Sequence, residues 1–310
     1  MTFRLFAASA LALASAPLAA ASMGTFSPNR MAEIVKTISA DDFEGRGVNT
    51  PAETKTINYI IDQFRSAGLQ QGGDVVNGQR RWTQDVPLLQ ADLVGDPVVT
   101  VQTPGGGMRL TQGNEIAVRA PQNGQSQIRI ANAPLVFAGY GVSAPERNWD
   151  DFKGQDVRGK VIVVLVNDPD FEGGEGDFGG KAMTYYGRWT YKYEEAARRG
   201  AAGVMIVHET DPASYGWNTV KNSNTNAQFD IVRQNPAGSH TPFETWIQRD
   251  VAVQLFKNAG LDFEQAGGRQ ASQLPADRPQ VDGQRHGECS RRDDHLTQRH
   301  RHPTRQEIPR

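Results

Sequence analysis

Residues 183–207 read MTYYGRWTYKYEEAARRGAAGVMIV, and this stretch decides the fold. From about 190 to 199, Tyr193, Ala196 and Ala197 share one face at helical spacing, and Gly200 ends the helix. Residues 203–207 then form an unbroken apolar run, the pattern of a strand buried on both faces. Upstream, residues 157–166 repeat the arrangement, with Gly159-Lys160 followed by an apolar run. Residues 134–140 predict a further strand ending in Gly139-Tyr140-Gly141. The linking residues 168–181 are acidic and rich in glycine. Downstream, residues 249–258 place Val251, Val253, Leu255 and Phe256 on a helix that Gly260 caps. Strands alternating with helices predict an α/β domain, rich in β-structure, over 125–265.

The preceding residues, 23–124, predict two helices and then short strands. Met31, Ile34, Val35 and Ile38 recur at helical spacing, and residues 41–47 break the pattern. Thr50, Pro51 and Glu53 open a second helix with a capping box, and Ile57, Ile60, Ile61, Phe64 and Ala67 form its stripe up to Gly68. Residues 97–101 and 115–118 read as strands, with Gly105-Gly106-Gly107 as a turn between them. At the N-terminus, Arg4, the apolar run 5–18 and Ala19-Ala20-Ala21 predict a signal peptide over 1–22, cleaved near Ala21. The mature chain is then expected to be secreted or periplasmic, with no membrane attachment.

The 310 residues are 38% hydrophobic and 22% charged, with a net charge of −2 and one cysteine. One cysteine excludes a disulfide scaffold, and near-neutral charge argues against a general nucleic-acid binder.

Three segments carry a family resemblance: Gly139-Tyr140-Gly141-Val142, Gly159-Lys160-Val161-Ile162, and the run from Tyr193 through Gly203-Val204. Together they resemble a protease-associated (PA) domain. The string from Met183 to Lys192 narrows this to the PA insert of exported bacterial zinc aminopeptidases of the M28 family. Asp42-Phe43-Glu44-Gly45-Arg46-Gly47 and the capped helix after it resemble the opening of that family's catalytic domain. The resemblance implies N-terminal helices of an M28 peptidase-like domain, a PA domain at 125–265, and peptide or protein substrates met through that domain. It places Tyr185, Tyr186, Arg188 and Trp189 where they could face substrate or partner, with core packing as the competing reading.

The last residues, 266–310, read differently. From 267 onward there are nine arginines and no lysine, and four of the six histidines. So few apolar residues cannot offset the entropy of ordering, so a disordered tail is expected. A basic arm, a His/Cys metal site and an out-of-frame segment compete as explanations. Re-reading each codon from its second base permits alternating, strand-like patterning. It also permits a TSRNVIA segment resembling the family's first strand after the PA insert. The out-of-frame reading follows, with its junction between about 266 and 274.

The resemblance implies two zinc ions held by a His-x-Asp pair, later carboxylates and a distant His. No in-frame position matches these ligands, so no catalytic or metal residue is assigned and no cofactor is expected to bind specifically. His286, Cys289, Asp293, Asp294, His295, His300 and His302 have zinc-binding chemistry without a regular spacing. Asp168, Asp170, Glu172 and Gly173 imitate the start of a calcium loop whose twelfth position is Gly179. His208 and His240 read as structural, and Ser214 and Ser239 lack a nucleophile-elbow context. The chain thus reads as an inactive fragment of an exported metallo-aminopeptidase; the alternative is a free-standing PA-like peptide-binding module. Helices at 29–69 are expected to lack the sheet they would cover.

Overall fold

The computed structural model describes residues 26–173, 176–267 and 288–290. The expected signal peptide (1–22) and all of the expected tail but 266–267 and 288–290 lie outside them. The chain divides into two compact units, Met1–Asp85 and Val86–Arg310.

In the first unit, α1 (Pro28–Ile38) starts at Ser27, whose Oγ accepts the Arg30 N–H at 3.3 Å. Helix α2 (Pro51–Ser66) opens with Thr50 Oγ1 accepting from the Glu53 N–H (3.4 Å). Glu53 returns the favour to the Asn49 N–H at 2.7 Å, one residue before the position of an ordinary capping box. Beyond it, β1 (Val75–Val76) pairs with β2 (Gln79–Arg80). Helix α1 buries none of its residues, and α2 buries only Ala52. Met31 and Val35 remain 56% and 58% exposed, and Phe64 45%.

The second unit is a mixed α/β domain. Its strands and helices are β3 (Leu88–Val94), β4 (Val99–Thr103), β5 (Gly106–Leu110), β6 (Ile116–Val118), β7 (Leu135–Phe137), β8 (Ser143–Ala144), β9 (Trp149–Asp150), β10 (Val161–Leu165), α3 (Trp189–Arg198) and β11 (Gly203–His208). They continue with α4 (Thr210–Ala213), α5 (Trp217–Asn224), β12 (Gln228–Ile231), β13 (Phe243–Gln248), α6 (Arg249–Asn258), α7 (Phe263–Gly267) and β14 (Glu288–Ser290). The central sheet runs β6-β13-β11-β10-β7. Four of its strands are parallel, and β6 lies antiparallel to β13.

Alternation sorts the strand residues onto two faces. Val161, Val163, Leu165, Met205 and Val207 join α6, α7 and the β4–β5 hairpin in one core. Ile162, Val164, Val204, Ile206 and Trp246 join Tyr193 and Ala196 of α3 and Val220 of α5 in the other. Burial on both faces explains why β10 and β11 read as continuous apolar runs. Gly203 is required at the start of β11, because a Cβ there would lie 2.7 Å from both the Cβ and the O of Phe243.

The border expected near 124/125 falls inside this unit. Residues 116–118 supply the sheet's antiparallel edge, and 99–110 cover one of its faces. The strand β13 lies inside the sheet, between β6 and β11, and was not among the expected elements. Within the tail, Glu288–Ser290 pair antiparallel with Asp92–Val94 of β3, where no ordered element was expected. A main-chain ladder asks little of side-chain composition.

Candidate functional site

The sequence-predicted site forms a short turn, Tyr185–Gly187, that leads directly into α3. Its upstream end is tied down by Asp168, whose Oδ2 accepts from the Thr184 N–H (3.0 Å) and the Thr184 hydroxyl (2.7 Å). Gly187 allows a close approach, since a Cβ there would meet Met183 Cγ at 2.7 Å and Asn167 Oδ1 at 3.0 Å.

From below, the fully buried Lys192 clamps three segments together. Its Nζ donates to the carbonyls of Tyr140 (2.5 Å), Asn167 (2.7 Å) and Tyr186 (3.0 Å). Burial pushes the Lys192 ammonium down to about 7, against the opposing pull of Asp151 and Asp168. Burial likewise raises Asp151 to about 6, although its carboxylate accepts from the Val142 N–H and the Trp149 indole.

The four predicted residues divide by environment. Tyr185 is 57% exposed; its ring meets Tyr191 edge-on at 5.9 Å and its hydroxyl donates to Glu194 Oε2 (2.7 Å). Arg188 is also exposed. Tyr186 is half-buried, edge-on to Tyr191 (5.0 Å) and Phe178 (5.7 Å), and donates to Glu146 Oε1 at 2.7 Å. Those hydrogen bonds to carboxylates hold both phenols above their ordinary range. Trp189 is half-buried against Tyr193, with the Arg119 guanidinium 4.6 Å from its ring centre. Tyr185 and Arg188 are therefore exposed, whereas Tyr186 and Trp189 are half-buried in packing.

Sequence reading missed an open crevice of about 700 Å³ at the C-terminal ends of β11 and β13. Phe171, His208, Glu209, Trp217, Arg249 and Asp250 help to line it. Parallel strands leave such a crevice where their connections diverge, so the strand pattern was the available signal. His208 Nε2 lies 2.9 Å from the Tyr215 carbonyl, and burial lowers its basicity. Burial raises Glu209, against the pull of Arg249, whose Nε lies 3.1 Å from Glu209 Oε1.

Among the described residues no three His, Cys, Asp or Glu side chains are grouped so as to hold a metal ion. His240 aims its two ring nitrogens at different carboxylates, so His240, Asp230 and Glu244 do not converge on one point. The calcium-like residues are also committed: Asp168 holds Thr184, and Asp170 accepts from the Phe178 N–H. Among the described residues the donors do not gather as a two-zinc centre would need. The tail histidines and Cys289 lie where no side chain is described.

No family model matches the chain, and no curated protein matches it. Among solved structures it is similar to an aminopeptidase from Aneurinibacillus sp. strain AM-1, at 16% identity and a TM-score of 0.37. The match covers 84% of this chain and 45% of that one, so the chain spans less than half of that enzyme's length. At that score the likeness fixes neither the arrangement of the domains nor a site.

Proposed function

We propose that this chain derives from an exported M28-type zinc aminopeptidase and that its described residues recognise peptide without hydrolysing it. The lineage rests on the PA-like sequence string and on the out-of-frame reading of residues 266–310. The export rests on the N-terminal pattern of Arg4, an apolar run and three alanines. The observation that carries peptide recognition is the pairing of exposed Tyr185 and Arg188 with an immobilised base. Lys192 and Asp168 fix the backbone beneath them, so a ligand meets a shelf already ordered. An aromatic ring and a guanidinium side by side suit an extended peptide, offering apolar contact and a donor to a carbonyl or carboxylate.

A free-standing binding module is the second reading. It is favoured by the two complete cores that the second unit builds from its own residues.

The test pairs binding with catalysis. Peptide-library binding to the full chain should fall at least tenfold in Tyr185→Ala/Arg188→Ala, with the melting transition nearly unchanged. Aminopeptidase turnover with added zinc should be absent, and restoring the frame with its downstream sequence should bring chelator-sensitive activity. Unchanged binding in the double variant would refute the shelf. Chelator-sensitive hydrolysis by the 310-residue chain would refute the inactive reading.

A further inference from the structure

A chain of alternating charge, buried at Arg119 and Glu244 and half-buried at His240, Asp230 and Arg233, lies beside α3 in the second unit. Arg233, just past β12, donates to Asp230 (Nε to Oδ2, 2.7 Å). The same oxygen lies 3.0 Å from His240 Nε2, while His240 Nδ1 lies 3.0 Å from Glu244 Oε1 at the start of β13. Glu244 Oε1 also accepts from the Thr241 N–H (3.2 Å), and its Oε2 faces Arg119 Nε at 3.7 Å. Arg119, immediately after β6, sets its guanidinium 4.6 Å from the Trp189 ring centre and 5.6 Å from that of Tyr193. At the far end, Arg233 lies within the field of Glu194 and Tyr185. One end of the chain therefore packs on Trp189 and Tyr193, and the other acts on Glu194 and Tyr185 only through its field.

We propose that His240 is a proton-operated switch for this aromatic segment: the imidazolium locks it in the posture described, and loss of the proton releases it. An imidazole placed between two carboxylates offers a donor to each only while both nitrogens carry hydrogen. Once neutral, it turns a lone pair toward a carboxylate oxygen 3.0 Å away, and burial leaves little solvent to screen the contact. Either the ring or one carboxylate must then move. Glu244 is tied to Arg119, so a shift of its carboxylate reaches the guanidinium that lies against Trp189, while Asp230 is held by Arg233.

The charged and titratable groups facing His240 are Glu244 from β13, Asp230 from β12, Arg233 beyond β12 and Arg119 beyond β6. Glu194 and Tyr185 lie farther out on α3 and its preceding turn. Burial alone would lower the imidazole, but Glu244 first and then Asp230 outweigh it and hold it above its ordinary value. The lock is thus closed at acidic pH and opens as pH rises through that elevated value. The inference holds whether or not the segment binds peptide.

The experiment is an NMR titration of the full chain from about pH 5 to about pH 9.5, following the ring C–H signals of His240 and Trp189. His240→Gln and Trp189→Phe assign them. Both signals should move with one shared midpoint above about 6.5, and the Trp189 transition should vanish in His240→Gln. A Trp189 signal that stays flat while His240 titrates would overturn the switch, as would a transition that persists in His240→Gln. Should His240→Gln fail to fold, the wild-type midpoints decide: coincidence supports the switch, and separation by more than about half a unit refutes it.

Discussion

Replacing Lys192 with Met tests whether the aromatic shelf owes its order to one buried ammonium. The substitution keeps most of the stem's volume but removes the donors to Tyr140, Asn167 and Tyr186. It also removes the positive charge that half-buried Asp151 and buried Asp168 feel. Each buried carbonyl left short of a donor costs about 1–3 kcal/mol. Against this, the variant no longer desolvates an ammonium. Because three carbonyls lose their donor at once, the loss should win, at about 3 kcal/mol. For a domain of this size that corresponds to a fall in Tm of about 6–12 °C. The pH dependence sharpens the test. The folded-state pKa of Lys192 is lowered from 10.5 to about 7, so between those values the unfolded chain binds the extra proton. Wild-type stability then gains with rising pH from this group, and the gap to Lys192→Met widens between pH 7 and 9. Urea unfolding followed by circular dichroism at several pH values measures both effects. A loss below about 1 kcal/mol would refute the clamp, and a gap independent of pH would refute the lowered lysine.

Tyr185→Ala should leave stability within about 0.5 kcal/mol of wild type. Tyr186→Ala, which removes ring contacts to Tyr191 and Phe178, should cost about 2 kcal/mol; equal melting temperatures for the two variants would contradict their different burial. Gly203→Ala should destabilise by about 1–3 kcal/mol in thermal melts, because its methyl lands on the Phe243 backbone and Cβ. Limited trypsin digestion should cut first in the first unit, at Lys36, Lys55, Arg65 and Arg81, leaving a protected fragment that begins at Trp82, close to the border at Val86. An intact 29–265 product from mass spectrometry would count against that.

What the sequence made legible follows from how directly each signal maps onto burial. The runs at β10 and β11 and the helix between them were readable because strands buried on both faces leave no polar interruption. The end of α6 was readable as well, since its stripe stops just before Gly260, which takes a φ of 74°. Interior strand β13 was harder, because Phe243-Glu244-Thr245-Trp246-Ile247 carries a buried glutamate whose partners, Arg119 and His240, come from distant parts of the chain or from a loop. A charge in a core strand signals a loop unless its counterions are known, and counterions are a tertiary fact. The same difficulty hid the site. Tyr185, Tyr186, Arg188 and Trp189 were found as one aromatic run, yet the run alone gave no way to separate exposed Tyr185 from engaged Trp189. That separation depends on Arg119, seventy residues upstream, lying across the Trp189 ring. In α1 and α2 the periodicity was equally clear but predicts only a face that wants cover. The described residues leave Met31, Val35 and Phe64 substantially exposed. An amphipathic stripe records what a helix was selected to pack against, and here that record exceeds what the unit itself supplies.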